Sequence, residues 1–119
     1  MTRVKRSLHA RKKRRATLAL TKGFRGEAHS NYRRAKEALI KADTYAYRDR
    51  KARKRDFRRL WITRINAAAR ENGMSYSQFM HGLARAGIEL DRKVLADIAV
   101  RDAESFRRFA EAAREASAV

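Results

Sequence analysis

The hydrophobic pattern changes character part-way along the chain. Beyond residue 60, apolar residues recur in groups at helical spacing: Ile62, Ile65, Ala68 and Ala69; Phe79, Met80 and Leu83; Val94, Leu95 and Ile98; Phe106, Phe109, Ala110 and Ala113. Each group marks one face of an amphipathic helix. The residues between the groups agree. Asn72-Gly73 offers a left-handed cap to the first helix, Ser75 with Gln78 three residues on makes a capping box for the second, and Gly87 stops it. Asp91 and Asp102 stand at the N-caps of the third and fourth. Four short helices joined by links of two to five residues predict a compact bundle, and some 59 residues can hold a small core without staples.

Before residue 60 no such face exists. The 46 residues from Glu27 to Asn72 contain neither Gly nor Pro, which predicts a long helix over about 27–72. Ala28, Ala35, Ala38, Ala42 and Ala46 form a narrow stripe along it. That stripe suits the close approach of a flat or grooved surface, or a seam with another protein. From Arg48 to Arg59, eight of twelve residues are Arg or Lys. At about 100° per residue they cover roughly two-thirds of the circumference, with Asp49 and Asp56 in the gap. A helix charged nearly all round needs a polyanion on several sides, or it stays loose in water. Upstream, Lys22-Gly23-Phe24-Arg25-Gly26 reads as a hinge between two helical pieces, because the spacing of a phosphate-cradling loop is missing. Residues 1–22 carry nine bases, and the first acid is Glu27. Such a segment should be disordered alone in water and should order on a partner. The predicted architecture is all-α: a long basic N-terminal helical arm, residues 1–59, followed by a small four-helix C-terminal domain, residues 60–119.

Charge sharpens this division. The chain has a net charge of +18 and a pI near 11.4. Residues 1–60 hold 22 bases against 5 acids, whereas residues 61–119 hold 9 against 8. An excess of that size opposes compaction and points to a polyanionic partner, nucleic acid first and an anionic membrane second. The membrane reading fails because residues 48–59 have no lipid-facing stripe. A DNA-binding or architectural protein is the main rival, but a bundle of net +1 makes a poor recognition element. Tyr32, Tyr45, Tyr47, Phe57 and Trp61 lie among the bases, an interleaving that suits RNA, whose unpaired bases stack on rings and guanidinium planes. Trp61 adjoins Leu60, Ile62 and Ile65 and reads better as an edge-of-core residue.

Catalysis finds no support. His9, His29 and His81 are far apart in sequence and none has a second ligand at helical spacing, so neither a metal site nor a cofactor is expected. Asp49 with Arg53, and Asp56 with Arg59, read as intrahelical pairs. With no Cys, disulfide scaffolds and thiol chemistry are excluded. Leu18-Ala19-Leu20 is too short for a signal-peptide core, and no apolar run approaches the ~20 residues of a membrane span. The acid-free opening has the composition of an organelle transit peptide, but that composition continues past any cleavable length. A cytoplasmic protein without a small-molecule substrate is expected.

The stretch Tyr45-Ala46-Tyr47-Arg48-Asp49-Arg50-Lys51-Ala52-Arg53-Lys54-Arg55-Asp56-Phe57-Arg58-Arg59-Leu60-Trp61-Ile62-Thr63-Arg64-Ile65-Asn66-Ala67-Ala68-Ala69-Arg70 closely resembles the signature of the bacterial large-subunit ribosomal protein L20 family. The likeness continues through Arg3-Val4-Lys5-Arg6, Lys22 to Gly26, Gly73-Met74-Ser75-Tyr76 and Asp91 to Ala99, and so covers essentially the whole chain. The resemblance implies a non-catalytic ribosomal constituent that is a primary binder of large-subunit (23S) ribosomal RNA in early assembly. It implies an arm threaded between RNA helices and a helical domain docked on the RNA surface. Neighbouring large-subunit proteins would be partners, and some members also bind the leader of their own messenger. Carried onto this sequence, the RNA-contacting set includes Arg3, Lys5, Arg6, Lys22, Arg25, Arg33, Arg48, Arg50, Lys51, Arg53, Lys54, Arg55, Arg58 and Arg64. The residues' own chemistry adds Arg11, Lys12, Lys13, Arg14, Arg15, Tyr32, Arg34, Tyr45, Tyr47 and Arg59. Where the family often has more basic charge, this chain has Glu27-Ala28-His29.

Overall fold

The computed structural model describes residues 6–118. Among these there are five α-helices and no strand: α1 Arg6–Leu20, α2 Tyr32–Glu71, α3 Tyr76–Arg85, α4 Arg92–Arg101 and α5 Ala103–Ala118. The fold is all-α, as the periodicity requires. The chain divides into two compact units, one ending at Lys51 and one beginning at Ala52. They are described separately, and α2 contributes to each.

In the first unit, α1 is rich in Arg, Lys, Ala and Leu, with Thr17 as its one β-branched residue, a composition that favours helix. None of its residues is buried. Its helical course rests on no core of its own. Thr21, just past its end, is fully buried, and its hydroxyl donates to the carbonyls of Thr17 and Leu18. The long helix begins at Tyr32 rather than near residue 27. Gly26–His29 form a 3₁₀ turn instead, and the Asn31 side chain accepts from the backbone N–H groups of Arg33 (3.0 Å) and Arg34 (3.4 Å). A side chain that satisfies the first free amides sets the start of a helix.

The second unit holds the core: Ile65, Ala68, Ala69, Met74, Phe79, Leu83, Leu95, Ala96, Phe106, Ala110 and Ala113, with Trp61, Tyr76, Met80, Ile98 and Phe109 packed against it. The Phe79 and Phe106 rings stack with centroids 4.9 Å apart. Val94, expected inward, is exposed, and Ala96 takes the buried place beside Leu95. Gly73 ends α2 with φ of 75°, while Met74 N–H bonds to Ala69 C=O and Gly73 N–H to Arg70 C=O, which satisfies carbonyls the helix leaves open. The Arg114 guanidinium of α5 donates to the carbonyl of Asn72 and covers the same helix end.

The α3 capping box is complete: Ser75 Oγ accepts from Gln78 N–H, and Gln78 Oε1 accepts from Ser75 N–H. We expect Ser75→Ala to lower the stability of this unit by about 1 kcal/mol, measured by urea unfolding. Asp91 caps α4 through Val94 N–H at 2.8 Å. The expected link between the last two helices is absent, because Asp102 alone joins them. Its N–H bonds to Ile98 C=O to close α4, and its carboxylate accepts from Ser105 N–H (3.0 Å) to open α5. Hydrogen bonds from Ser105 hold that carboxyl below the usual carboxylate range.

The feature that most tightly sets the packing is Gly82, inside α3 and buried. A Cβ there would lie 2.8 Å from Ala113 Cα and closer still to its carbonyl. The backbones of α3 and α5 thus approach at a distance that only glycine permits.

Candidate nucleic-acid interface

Of the expected contact residues, Arg3 and Lys5 lie outside the described residues. In the first unit, Arg6, Arg11, Lys12, Lys13, Arg14, Arg15, Lys22, Arg25, Arg33, Arg34, Arg48, Arg50 and Lys51 are all exposed. In the second, Arg53, Lys54, Arg55, Arg58, Arg59 and Arg64 are exposed as well. The α-helical course of α2 carries its bases on many sides, as the 3.6-residue period demands. Most of these cations are spread along exposed helix, while Arg64 lines a groove against α4.

Few of these bases meet an acid. Arg33 and Arg34 share Glu37 at 3.7 and 3.6 Å, and Arg59 lies 3.9 Å from Asp56. Asp49 pairs with its neighbour Arg48 at 2.9 Å rather than with Arg53, the shorter reach winning over the helical spacing. The hydrogen bond from Arg48 to Asp49, then the carboxylate's charge, raises the guanidinium pKa. The remaining contact candidates have no carboxylate within ion-pair distance among the described residues. Exposed pairs of this kind contribute little to stability, and they leave the surface strongly positive.

The tyrosines carry a feature that the pattern of bases did not announce. Lys51 Nζ sits 4.3 Å from the centre of the Tyr47 ring and donates to its hydroxyl at 2.6 Å. The Arg48 guanidinium lies 4.9 Å and the Lys41 ammonium 5.7 Å from the centre of the Tyr45 ring, and Arg14 lies 5.7 Å from that of Tyr32. Three of these pairs stand three or four residues apart on α2, so the helical spacing held the signal. The rings hold cations in place as well as offering faces. Tyr45 and Tyr47 remain 44% and 59% exposed.

Among the described residues no three His, Asp or Glu side chains come together in a way that could hold a metal ion. No helix of the described residues is long and apolar enough to cross a membrane.

Fold and surface together define an all-α protein that spreads its positive charge over exposed helix. Comparison with known proteins agrees. The sequence pattern of ribosomal protein L20 matches residues 3–109. The large ribosomal subunit protein bL20 of Acidithiobacillus ferrooxidans is 62% identical over 111 residues, 93% of each chain. That of Roseiflexus sp. is 60% identical over 116 residues, 98% of this chain and 99% of the relative. The chain belongs to the ribosomal protein L20 family, whose members are structural rather than enzymatic components of the ribosome.

Proposed function

We propose that this protein is a structural constituent of the large ribosomal subunit that binds large-subunit (23S) ribosomal RNA directly and early in assembly. The observation that carries the reading is the girdle of exposed, mostly unpaired cations along α2, in a chain matched over almost its full length by large-subunit proteins. Bringing RNA helices together is opposed by phosphate repulsion. A slim helix charged on several sides neutralises phosphates on more than one side at once, and counterion release drives its binding. Phosphate contacts position such a helix and RNA shape selects the site.

In this reading residues 1–59 are the RNA-binding extension and residues 60–119 a pre-folded anchor, which lowers the entropy cost of ordering the extension. The 15 residues of α1 bury nothing, and an isolated helix of that length is marginal in water. RNA therefore supplies much of its order. The protein works in the cytoplasm as part of the ribosome, beside other large-subunit proteins.

Competition at matched salt tests the proposal. Structured large-subunit ribosomal RNA should displace duplex DNA of equal phosphate content from the protein, by at least tenfold in concentration. Parity between the two would move the reading to a general polyanion binder. An added arm with the protein's own messenger leader tests that RNA as a second target.

A further inference from the structure

We propose that the groove between the Ala52–Glu71 part of α2 and α4 seats one unpaired nucleotide of the bound RNA. The base would lie against Trp61 and its phosphate between Arg64 and Lys93. The proposal rests on the RNA-binding reading above and narrows it to a kind of RNA element. It concerns the half of the chain whose near-balanced charge otherwise gives a polyanion little to hold.

The groove is a cavity of about 580 Å³ whose lining includes Trp61, Arg64, Lys93, Val94, Asp97 and Ile98. That volume lies within the roughly 300–1,000 Å³ of small-ligand sites. Trp61 gives the groove an aromatic wall. Trp61 packs against the core, yet it is only half-buried and lines the cavity. The Phe57 ring, itself 48% exposed, stands beside it with centroids 6.2 Å apart and a tilt of 36°. Val94 is an exposed apolar side chain of α4, and it lines the same groove.

The charges in the groove sort by whether they are already committed. Asp97 Oδ1 pairs with Arg101 Nε at 2.9 Å, and Asp91 Oδ1 accepts from the Val94 N–H as the cap of α4. Both acids are thus engaged by their own helix. Arg64 and Lys93 are exposed, and neither has a carboxylate at ion-pair distance among the described residues. What the groove offers a ligand is the accessible part of an indole ring and two uncommitted cations in the same lining. Unpaired RNA is recognised by that combination, through bases stacked on rings and phosphates held by Arg or Lys. A base inside a duplex has both faces covered and cannot use it.

The experiment uses the full chain. Trp61 is its single tryptophan, so intrinsic fluorescence reads this groove. The protein is titrated with a single-stranded RNA oligonucleotide lacking self-complementarity, and separately with duplex RNA of equal phosphate number. Retention on a filter reports overall binding. The single strand should quench Trp61, and the duplex, though retained, should leave the emission near its free value. Arg64→Gln with Lys93→Gln should lower single-strand affinity about tenfold and duplex affinity far less. Trp61→Phe should retain the single-strand preference and Trp61→Leu should lose it. If Trp61→Leu fails to fold, the paired substitution of two exposed cations carries the test alone. Equal quenching by both RNAs overturns the proposal, as does a retained single strand that leaves Trp61 unchanged. Quenching by an acidic peptide but not by RNA also overturns it and assigns the groove to a protein neighbour. Failure of the filter to retain either RNA would instead sink the RNA-binding reading itself.

Discussion

Replacing the eight bases from Arg48 to Arg59 with Gln should remove a large part of the salt dependence of RNA binding while leaving the helix content intact. Gln has nearly the helix propensity of Lys and Arg, and none of the eight is buried, so α2 loses charge without losing structure. Each phosphate neutralised contributes roughly 0.7–0.9 to the slope of log K against log salt. Removing all eight of these cations should therefore reduce the slope by about 6–7. Between about 50 and 200 mM salt, the parent chain should lose on the order of 10⁴-fold more affinity than the variant. Filter binding of a large-subunit RNA fragment at several salt concentrations, with circular dichroism of the free proteins as control, measures both quantities. If the slope is unchanged, the phosphates are held elsewhere along the chain and the girdle on α2 is a solubilising surface.

The largest change in stability should come from the smallest substitution. Judged by propensity alone, Gly82→Ala in the middle of α3 should stabilise the protein by close to 1 kcal/mol. The packing reverses that sign. Carbon atoms in contact prefer about 3.5–4.0 Å, and the added Cβ would stand 2.8 Å from Ala113 Cα. The obstacle is backbone, so no rotamer change relieves it. α3 and α5 must move apart by nearly 1 Å, which disturbs the stacked Phe79 and Phe106 rings between them. Overpacking of this kind costs about 1–3 kcal/mol and sometimes more, so a net loss of about 2 kcal/mol is expected. For a unit of this size that corresponds to a fall of roughly 10 °C in Tm. Thermal unfolding followed by Trp61 fluorescence reports on the unit concerned. A Tm unchanged or raised would show that the two helices are free to separate at little cost.

The contrast between Gly82 and Ser75 shows where the sequence is legible. The capping box at Ser75 and Gln78, the cap at Asp91 and the end of α2 at Gly73 are set by residues within one turn of each other. They can be read from the chain because the physics is local. The apolar spacing of Phe79, Leu83, Phe106 and Ala110 announced the core for the same reason. Gly82 looks like a helix weakness until the partner across from it is known, and nothing local identifies Ala113, thirty-one residues on. Ala96 takes the place expected of Val94 because the apolar spacing of α4 does not by itself fix which side of Leu95 faces the core. Asp49 turns to Arg48, not Arg53, since exposed ion pairs are weak enough for a neighbour to win. At the interface, the charge on α2 could be read directly. The Lys51 ammonium over Tyr47 is written in the four-residue spacing. The Trp61 groove is not, since its second wall comes from α4.

Asp102 gives the molecule an uneven tolerance to changes in length. One residue ends α4 and begins α5, with its main chain serving one helix and its side chain the other. There is no loop to absorb an inserted or deleted residue. Any such change must turn α5 about its own axis, by about 100° if the slack is taken up as helix, and so carry Phe106, Ala110 and Ala113 off the core. The six residues between α3 and α4 divide those roles, Ala86 closing α3 and Asp91 opening α4, so that no one position must serve both helices. Length variation among natural versions of this chain should therefore collect there and at the C-terminal end of α5, and avoid the junction at Asp102.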